Sequence, residues 1–322
     1  MKAILCPSYG PPSVLQLQEV AKPVPQEDQV LIKVRAASVN PLDWHMMRGS
    51  PHFVRLVAGL LRPKDPRTGV DFAGQVEAVG AKVTRFKPGD ELFGCCKGAF
   101  AQYACAAEST VALKPPSLTF QQAAAVPIAA LTALQGLRDK GNIQPGQKVL
   151  INGAAGGVGT FAVQIAKSFG AQVTGVCSTR NVQMVRSLGA DQVIDYTCKD
   201  FTATGQIHDL IFDCIGNHSL SACRRVLQPT GTYVVVGSNA RGLIGPMARL
   251  LSAILLSRFV TQNLVGFIAN TNQEDLAFLR ELILAGKMTS VIDRSYTLNK
   301  VPDAIRYLET GHAQGKVAIT VS

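Results

Sequence analysis

Hydrophobic positions along the chain change their rhythm twice. Up to about residue 115 they come in short apolar runs broken by Gly and Pro. Residues 29–34 (Gln-Val-Leu-Ile-Lys-Val), 76–79 and 91–94 read as strands, with Lys87-Pro88-Gly89-Asp90 as a turn before the last of them. Many short strands punctuated in this way predict a compact β-rich unit, barrel-like or sandwich-like. Beyond Pro115-Pro116 the spacing lengthens. Residues 121–125 and 129–137 read as helix, 144–147 as a turn, and strands and helices then alternate. The predicted strands are 148–152, 172–177, 192–195, 209–214 and 232–236, with helices at 161–169 and 181–188. Runs such as Tyr233-Val234-Val235-Val236 are apolar throughout, as strands covered on both faces of a parallel sheet must be. From about residue 268 the pattern gives amphipathic helices at 276–284 and 301–308 and a closing strand at 317–321. No internal repeat is visible.

Length and composition narrow the class. At roughly 150 residues per domain, 322 residues suggest two domains. Apolar residues make up 47% and charged residues 17%, which supplies real cores and excludes a disordered chain. Lys and Arg number 32 against 22 Asp and Glu, a net charge of +10, but no five like charges run together. Scattered basic residues argue against a nucleic-acid-binding tail and leave an anionic small ligand or an acidic membrane surface as the partner. The eight cysteines, at 6, 95, 96, 105, 177, 198, 214 and 223, form no C-x-x-C pair, and several lie in apolar runs. Reduced, mostly buried thiols are expected. Pro7 interrupts the N-terminal run, so it lacks the core of a signal peptide. The most apolar stretch, 243–256, holds Pro246 and Arg249 and is too short to span a bilayer. A cytoplasmic enzyme is the expectation.

The strongest local signal is Val149-Leu150-Ile151-Asn152 running into Gly153-Ala154-Ala155-Gly156-Gly157-Val158-Gly159 and then a helix. Strand, glycine turn and helix N-terminus together set backbone N–H groups and the positive end of a helix dipole against a pyrophosphate. The spacing is G-x-x-G-x-x-G rather than the common G-x-G-x-x-G. An NAD enzyme usually carries Asp or Glu at the end of the following strand, about 20 residues past the glycines. Here that strand ends in Cys177-Ser178-Thr179-Arg180, and no carboxylate follows until Asp191. Arg180 and two hydroxyls offer charge-assisted donors to a 2′-phosphate, so NADPH is the expected cofactor. The bland alternative makes Arg180 a solvated residue at the start of a helix.

The sequence also resembles the zinc-independent quinone oxidoreductase branch of the medium-chain dehydrogenase/reductase superfamily. Within that branch it resembles the chloroplast-envelope quinone oxidoreductase homologues and related enone reductases. The motifs cover the whole chain: Ala37-Ser38-Val39-Asn40-Pro41-Leu42-Asp43-Trp44, Gly69-Val70-Asp71-Phe72-Ala73-Gly74, Val79-Gly80, Phe86 to Asp90, Ala123 to Pro127, Leu131-Thr132-Ala133, Ser187 to Asp191, Ile194-Asp195-Tyr196 and Gly315-Lys316-Val317-Ala318. The resemblance implies an α/β protein with a GroES-like β-rich catalytic domain, residues 1–119 and 268–322. Around residues 120–267 it implies a Rossmann doubly wound parallel-sheet domain that binds NADPH. It carries cofactor-binding roles to Thr132, Gly156, Gly157, Val158, Ser178, Arg180, Tyr196, Gly237 and Phe267, and sets Asn40 beside the nicotinamide. Tyr196 is expected near the 2′-phosphate, or else is simply a tyrosine ending a strand. In the zinc alcohol dehydrogenases of the superfamily, Asn40 corresponds to a metal-binding Cys and Val70-Asp71 to His-Glu, and a Cys falls near Pro127–Ile128. Those ligands and the four-cysteine structural lobe are missing, and the five histidines have no paired spacing, so no metal is expected.

Without a Lewis acid, acceptors that already take hydride well fit best: quinones, or α,β-unsaturated ketones and aldehydes. The oxygen that gains charge then needs hydrogen-bond donors and a proton. The Asn40 amide is one candidate donor, with packing of the ribose or holding of the loop as its alternative role. Related enoyl reductases carry a Tyr after the glycine matching Gly49, where this chain reads Gly49-Ser50-Pro51-His52. Tyr9 or solvent is then the proton source. The 241–259 segment, with Arg241, Arg249 and Arg258 among Leu and Ile, reads as a lid or dimer contact, a peripheral membrane contact, or a buried helix. A homodimer is implied by the resemblance alone. The competing class is an NADPH-binding but non-catalytic structural, trafficking or RNA-binding protein of the same superfamily.

Overall fold

The apolar run that begins at Gln29 continues as a strand to Val39, because Ala36, Ala37, Ser38 and Val39 are small or β-branched and all are buried. The computed structural model describes residues 1–52, 54–237 and 260–322. The 241–259 segment and its three readings therefore lie outside the described residues. The chain divides into two compact units, Met1–Leu131 with Thr271–Ser322, and Thr132–Asn270.

The first unit holds β1 (Lys2–Leu5), β2 (Gln16–Glu19), β3 (Gln29–Val39), β4 (Asp71–Val79), β5 (Glu91–Cys95), β6 (Tyr103–Ala107) and β7 (Val111–Leu113). The second holds β8 (Lys148–Asn152), β9 (Gln172–Cys177), β10 (Gln192–Asp195), β11 (His208–Asp213), β12 (Leu227–Val235) and β13 (Asn263–Gly266). The chain then returns to the first unit with β14 (Ile292–Thr297) and β15 (Lys316–Thr320).

In the first unit a seven-stranded sheet runs β14-β15-β3-β4-β5-β7, with β6 also on β3, while β1 and β2 form a separate hairpin-like pair. All its pairings are antiparallel except β14 on β15. The core gathers Ile32, Val34, Phe72, Leu92 and Phe100 with Val301, Ile305 and Ile319 from the end of the chain. The returning segment thus completes a core begun by the N-terminal strands. This is the GroES-like architecture.

The second unit is a six-stranded parallel sheet in the order β10-β9-β8-β11-β12-β13. The order reverses between β8 and β11, the mark of a doubly wound Rossmann sheet, in which ligands sit at the carboxyl ends of the strands where it turns. Strand interiors such as Val149, Leu150, Ile151, Ile211 and Phe212 are fully buried, as two covered faces require. The eight cysteines are all free thiols, and burial pushes Cys6 and Cys177 up to about 11. No described helix is long and apolar enough to cross a membrane.

Candidate active site

In the second unit β8 ends at Asn152 and the chain turns through Gly153, at φ +85°, into the helix Gly157–Ser168. Gly156 caps that helix without a side chain, and the first turn carries no acidic residue. The first intrahelical bond is Thr160 N–H to Gly156 O, so the amides of Gly157, Val158 and Gly159 point out of the helix end. A Cβ on Gly159 would lie 2.0 Å from Gly153 O, which is why only glycine lets the helix approach the turn. Uncapped amides, a positive helix end and no carboxylate fit a pyrophosphate. Gly237, half-buried, donates its N–H to Asp213 O at 3.1 Å and lies against Cys214, the same segment that Gly153 packs on. The β8 turn and Gly237 therefore share the carboxyl ends of neighbouring strands.

Ser178 and Arg180 follow β9, Ser178 half-buried and Arg180 exposed in a short 3₁₀ turn, Thr179–Asn181. Tyr196 follows β10, its ring 55% exposed and its N–H bonded to Cys177 O. The sheet adds something the linear sequence hides. Register sets Asp195 opposite Cys177, and a hydrogen bond from Thr179, with further ones from Thr197, holds its carboxyl below the usual range. A carboxylate thus does stand beside the Ser178–Arg180 turn, engaged by two threonines. Thr132 and Phe267 form a separate group. Thr132 lies in the helix Pro127–Gln135, whose Gln135 exchanges hydrogen bonds with Asn270. Phe267 packs against Gly136 just after that helix.

In the first unit three adjacent strands converge on one buried polar cluster. Register pairs Val317 with Val39 and Ser38 with Asp71, so the next residues along, Lys316 and Asn40, meet beside Asp71. Lys316 Nζ donates to Asn40 Oδ1 at 2.5 Å, and Asn40 Nδ2 donates to Asp71 Oδ2 at 2.8 Å. Asp71 also accepts from Ser38 Oγ at 3.0 Å and from Ile128 N–H at 3.1 Å, and lies 3.4 Å from Lys316 Nζ. Asp71, Asn40 and Lys316 are each under 4% exposed. Asp43, in the helix that Asn40 precedes, accepts the Asn40 backbone N–H at 2.7 Å; burial pushes its carboxyl up to about 7 against that bond.

Tyr9 donates its hydroxyl to Gly59 O at 2.6 Å, with the Arg55 guanidinium over its ring, and desolvation raises it above the ordinary phenol range. His45 donates Nδ1–H to Ser50 O and stacks on Trp44, a structural histidine that burial holds below the usual range. A zinc ion does not fit the residues present. A catalytic zinc needs three protein ligands. The positions that would supply them offer the Asn40 amide, the Asp71 carboxylate, already surrounded by donors, and the apolar Pro127 and Ile128, while the neighbouring Lys316 ammonium would repel the metal. Among the described residues no three His, Cys, Asp or Glu side chains converge.

Sequence reasoning missed the roles of Lys316 and Asp71. Each is a charge at the first position of a strand, followed by small or apolar residues, and that is the signal by which they could have been found. It also missed Asp213, which ends β11 fully buried and accepts from Asn152 Nδ2, from the Ile215 and Gly216 amides and from the Tyr233 hydroxyl. These bonds fix the segment against which the glycine turn packs.

A glycine turn at the switch point of a doubly wound sheet, carried with a GroES-like unit, defines a nucleotide-dependent dehydrogenase or reductase. Residues 26–116 match the family described as alcohol dehydrogenase GroES-like domain, and residues 188–319 the family described as zinc-binding dehydrogenase. The chain is 32% identical to the chloroplast envelope quinone oxidoreductase homolog of Arabidopsis thaliana, over 99% of this chain and 98% of that protein. It is 34% identical to the NADPH-dependent alkenal/one oxidoreductase, chloroplastic, of the same plant, over 99% of this chain and 79% of that protein. The quinone oxidoreductase structure from Coxiella burnetii superposes with a TM-score of 0.87 at 34% identity, covering 100% of this chain and 99% of the other. The chain belongs to the medium-chain dehydrogenase/reductase superfamily, among its quinone oxidoreductase homologues. It is an NAD(P)H-dependent oxidoreductase of a small-molecule substrate.

Proposed function

We propose that the chain is an NADPH-dependent reductase that passes hydride to quinones or to α,β-unsaturated ketones and aldehydes. The observation that carries the reading is the end of β9, where Ser178 and Arg180 supply a hydroxyl and a guanidinium donor for a 2′-phosphate. The relatives' names, quinone oxidoreductase and alkenal/one oxidoreductase, support the acceptor class. So does a donor set unsuited to zinc, because these acceptors take hydride without a Lewis acid.

A reduced nicotinamide supplies the hydride when bound. Gly157 and Val158 would hold the pyrophosphate on their backbone amides, with Gly156, whose own N–H bonds Gly153 O, keeping the approach free of a side chain, and Ser178, Arg180 and Tyr196 would hold the far ribose and its phosphate. Thr132, Gly237 and Phe267 line the remainder of the cofactor. Asn40 would serve the nicotinamide end of the cofactor, its Nδ2 amide donating to the substrate oxygen as charge develops there. Tyr9 is the candidate proton donor, and to act it must exchange its bond to Gly59 O for one to substrate. The protein works as a homodimer joined through the nucleotide unit, so light scattering should give about twice the 34.3 kDa chain mass.

The test is oxidation of NADPH, with NADH in parallel, against phenanthrenequinone, benzoquinone, an alkenal and a long-chain enone. Turnover with NADPH supports the reading, and the better acceptor selects quinone or enone. Preference for NADH would transfer the ribose contact to Asp195. NADPH binding without turnover on any acceptor would sink the reductase reading in favour of a non-catalytic binding protein.

A further inference from the structure

Resting on the reductase reading and on Asn40 as its oxyanion donor, we propose that Lys316 is a positioning residue. Its ammonium orients and polarises the Asn40 carboxamide, so that one Nδ2–H is presented to the oxygen on which charge develops.

Backbone geometry delivers the lysine to this point. Gly315 turns the chain at φ +77° with its Cα so close to the preceding strand that a Cβ would lie 2.3 Å from Val291 O. Lys316 then opens β15 one register step beyond the Val317–Val39 pair, and its side chain is 3% exposed. An extended, rotamer-rich cation held there is costly to order and to desolvate, so it needs a counterpart.

The counterpart that receives its short bond is the neutral amide oxygen. Nζ stands 2.5 Å from Asn40 Oδ1 but 3.4 Å from Asp71 Oδ2, beyond a strong hydrogen bond. Asp71 has donors enough without it, from Ser38, Asn40 and Ile128. A lysine ammonium only donates, and an ionised carboxylate only accepts. Both partners therefore demand the same orientation of the Asn40 amide, Oδ1 on the cation and Nδ2 on the carboxylate. Of the two Nδ2 hydrogens one is taken by Asp71, and the other has no partner among the described residues. A cation on the carbonyl oxygen draws density from the amide nitrogen and strengthens that remaining N–H as a donor.

The chemistry balances with the hydride of the reductase reaction. A new C–H bond forms at the β-carbon of an enone, the π pair of the C=C bond moves between the α-carbon and the carbonyl carbon, and the carbonyl pair moves to oxygen. The resulting oxyanion accepts the Asn40 Nδ2–H bond without proton transfer, and the α-carbon later takes a proton from Tyr9 or water. A quinone is already a strong hydride acceptor and asks for less stabilisation at oxygen. Lys316 should therefore matter more for enones than for quinones.

The experiment compares the wild type with Lys316→Met and with the double variant Lys316→Met/Asp71→Asn, which leaves no unpaired buried carboxylate and so guards against simple unfolding. NADPH affinity is expected to hold within about twofold in the double variant. Its kcat should fall about 10- to 100-fold with an enone, less than the roughly 100- to 1000-fold for losing an oxyanion donor outright because the donor is weakened rather than removed, and distinctly less with a quinone. Recovery of wild-type kcat in the double variant would show that Lys316 only balances the charge of Asp71, and would overturn the proposal. So would equal losses with both acceptors. A wild type inert to every acceptor removes the reductase reading itself and this role with it, whereas an active wild type with an unimpaired double variant removes only the role of Lys316.

Discussion

Lowering the pH from 7 to 5 should weaken the nucleotide-binding unit by about 2 kcal/mol through a single side chain, His208. It opens β11, is 2% exposed, and neither ring nitrogen has a hydrogen-bond partner. Burial depresses its pKa from 6.5 to about 4; the charge of Asp209 works against the shift and that of Lys148 with it. A depressed folded-state pKa means that the unfolded chain binds the proton first. The stability is fully present above 6.5 and is lost as pH falls towards about 4. Complete protonation costs about 3 kcal/mol at roughly 1.4 kcal/mol per pH unit, and about 2 kcal/mol of it is lost by pH 5. His208→Leu removes the titrating group while keeping an apolar side chain in place. The only tryptophan, Trp44, is in the other unit, so the assay is hydrogen exchange of peptides covering β8 and β11 under native conditions at several pH values. The opening free energy of the wild type should fall by about 2 kcal/mol between pH 7 and 5, with a clearly flatter profile for His208→Leu. Parallel profiles would refute the argument, because the proton uptake would then lie elsewhere.

Three further outcomes bear on the site. Arg180→Ala should raise the KM for NADPH about 10- to 100-fold, the equivalent of one or two charge-assisted bonds, and leave the KM for NADH nearly unchanged; equal changes for both would remove Arg180 from the 2′-phosphate. Gly159→Ala should abolish nucleotide binding measured by calorimetry, since its Cβ would lie 2.0 Å from Gly153 O and the turn must open to relieve it. Tyr9→Phe loses a 2.6 Å bond to Gly59 O, a cost of about 1 kcal/mol in stability. If Tyr9 also delivers the proton, kcat should drop by about 100-fold or more, and an unchanged kcat would assign that step to water.

Much of this protein was legible along the line of residues. The strands at Gln172–Cys177 and Gln192–Asp195 were read to the residue, because apolar runs between glycine and helix signals leave little freedom in a parallel sheet. The glycine turn was legible for a similar reason: a backbone that must approach both a phosphate and its own strand excludes every side chain but hydrogen. Short strands such as β2, with all four residues exposed, carry no burial pattern and were not legible. Nor was the length of β3, whose far half is a run of small residues that periodicity alone does not resolve.

The sequence by itself therefore determined the class of fold, the nucleotide turn and the absence of zinc ligands at the positions where relatives carry them, since each is a matter of residue type at close spacing. Only the tertiary structure decided what stands there instead. Lys316 is 276 residues from Asn40 and reaches it because β15 pairs antiparallel with β3, while Asp71 arrives from β4 on the other side. In the same way Asp195, remote from the β9 turn in sequence, comes beside Thr179 through strand pairing. Hydrophobic burial sets which strands are neighbours, and that choice fixes which distant polar groups must satisfy one another in the dry interior.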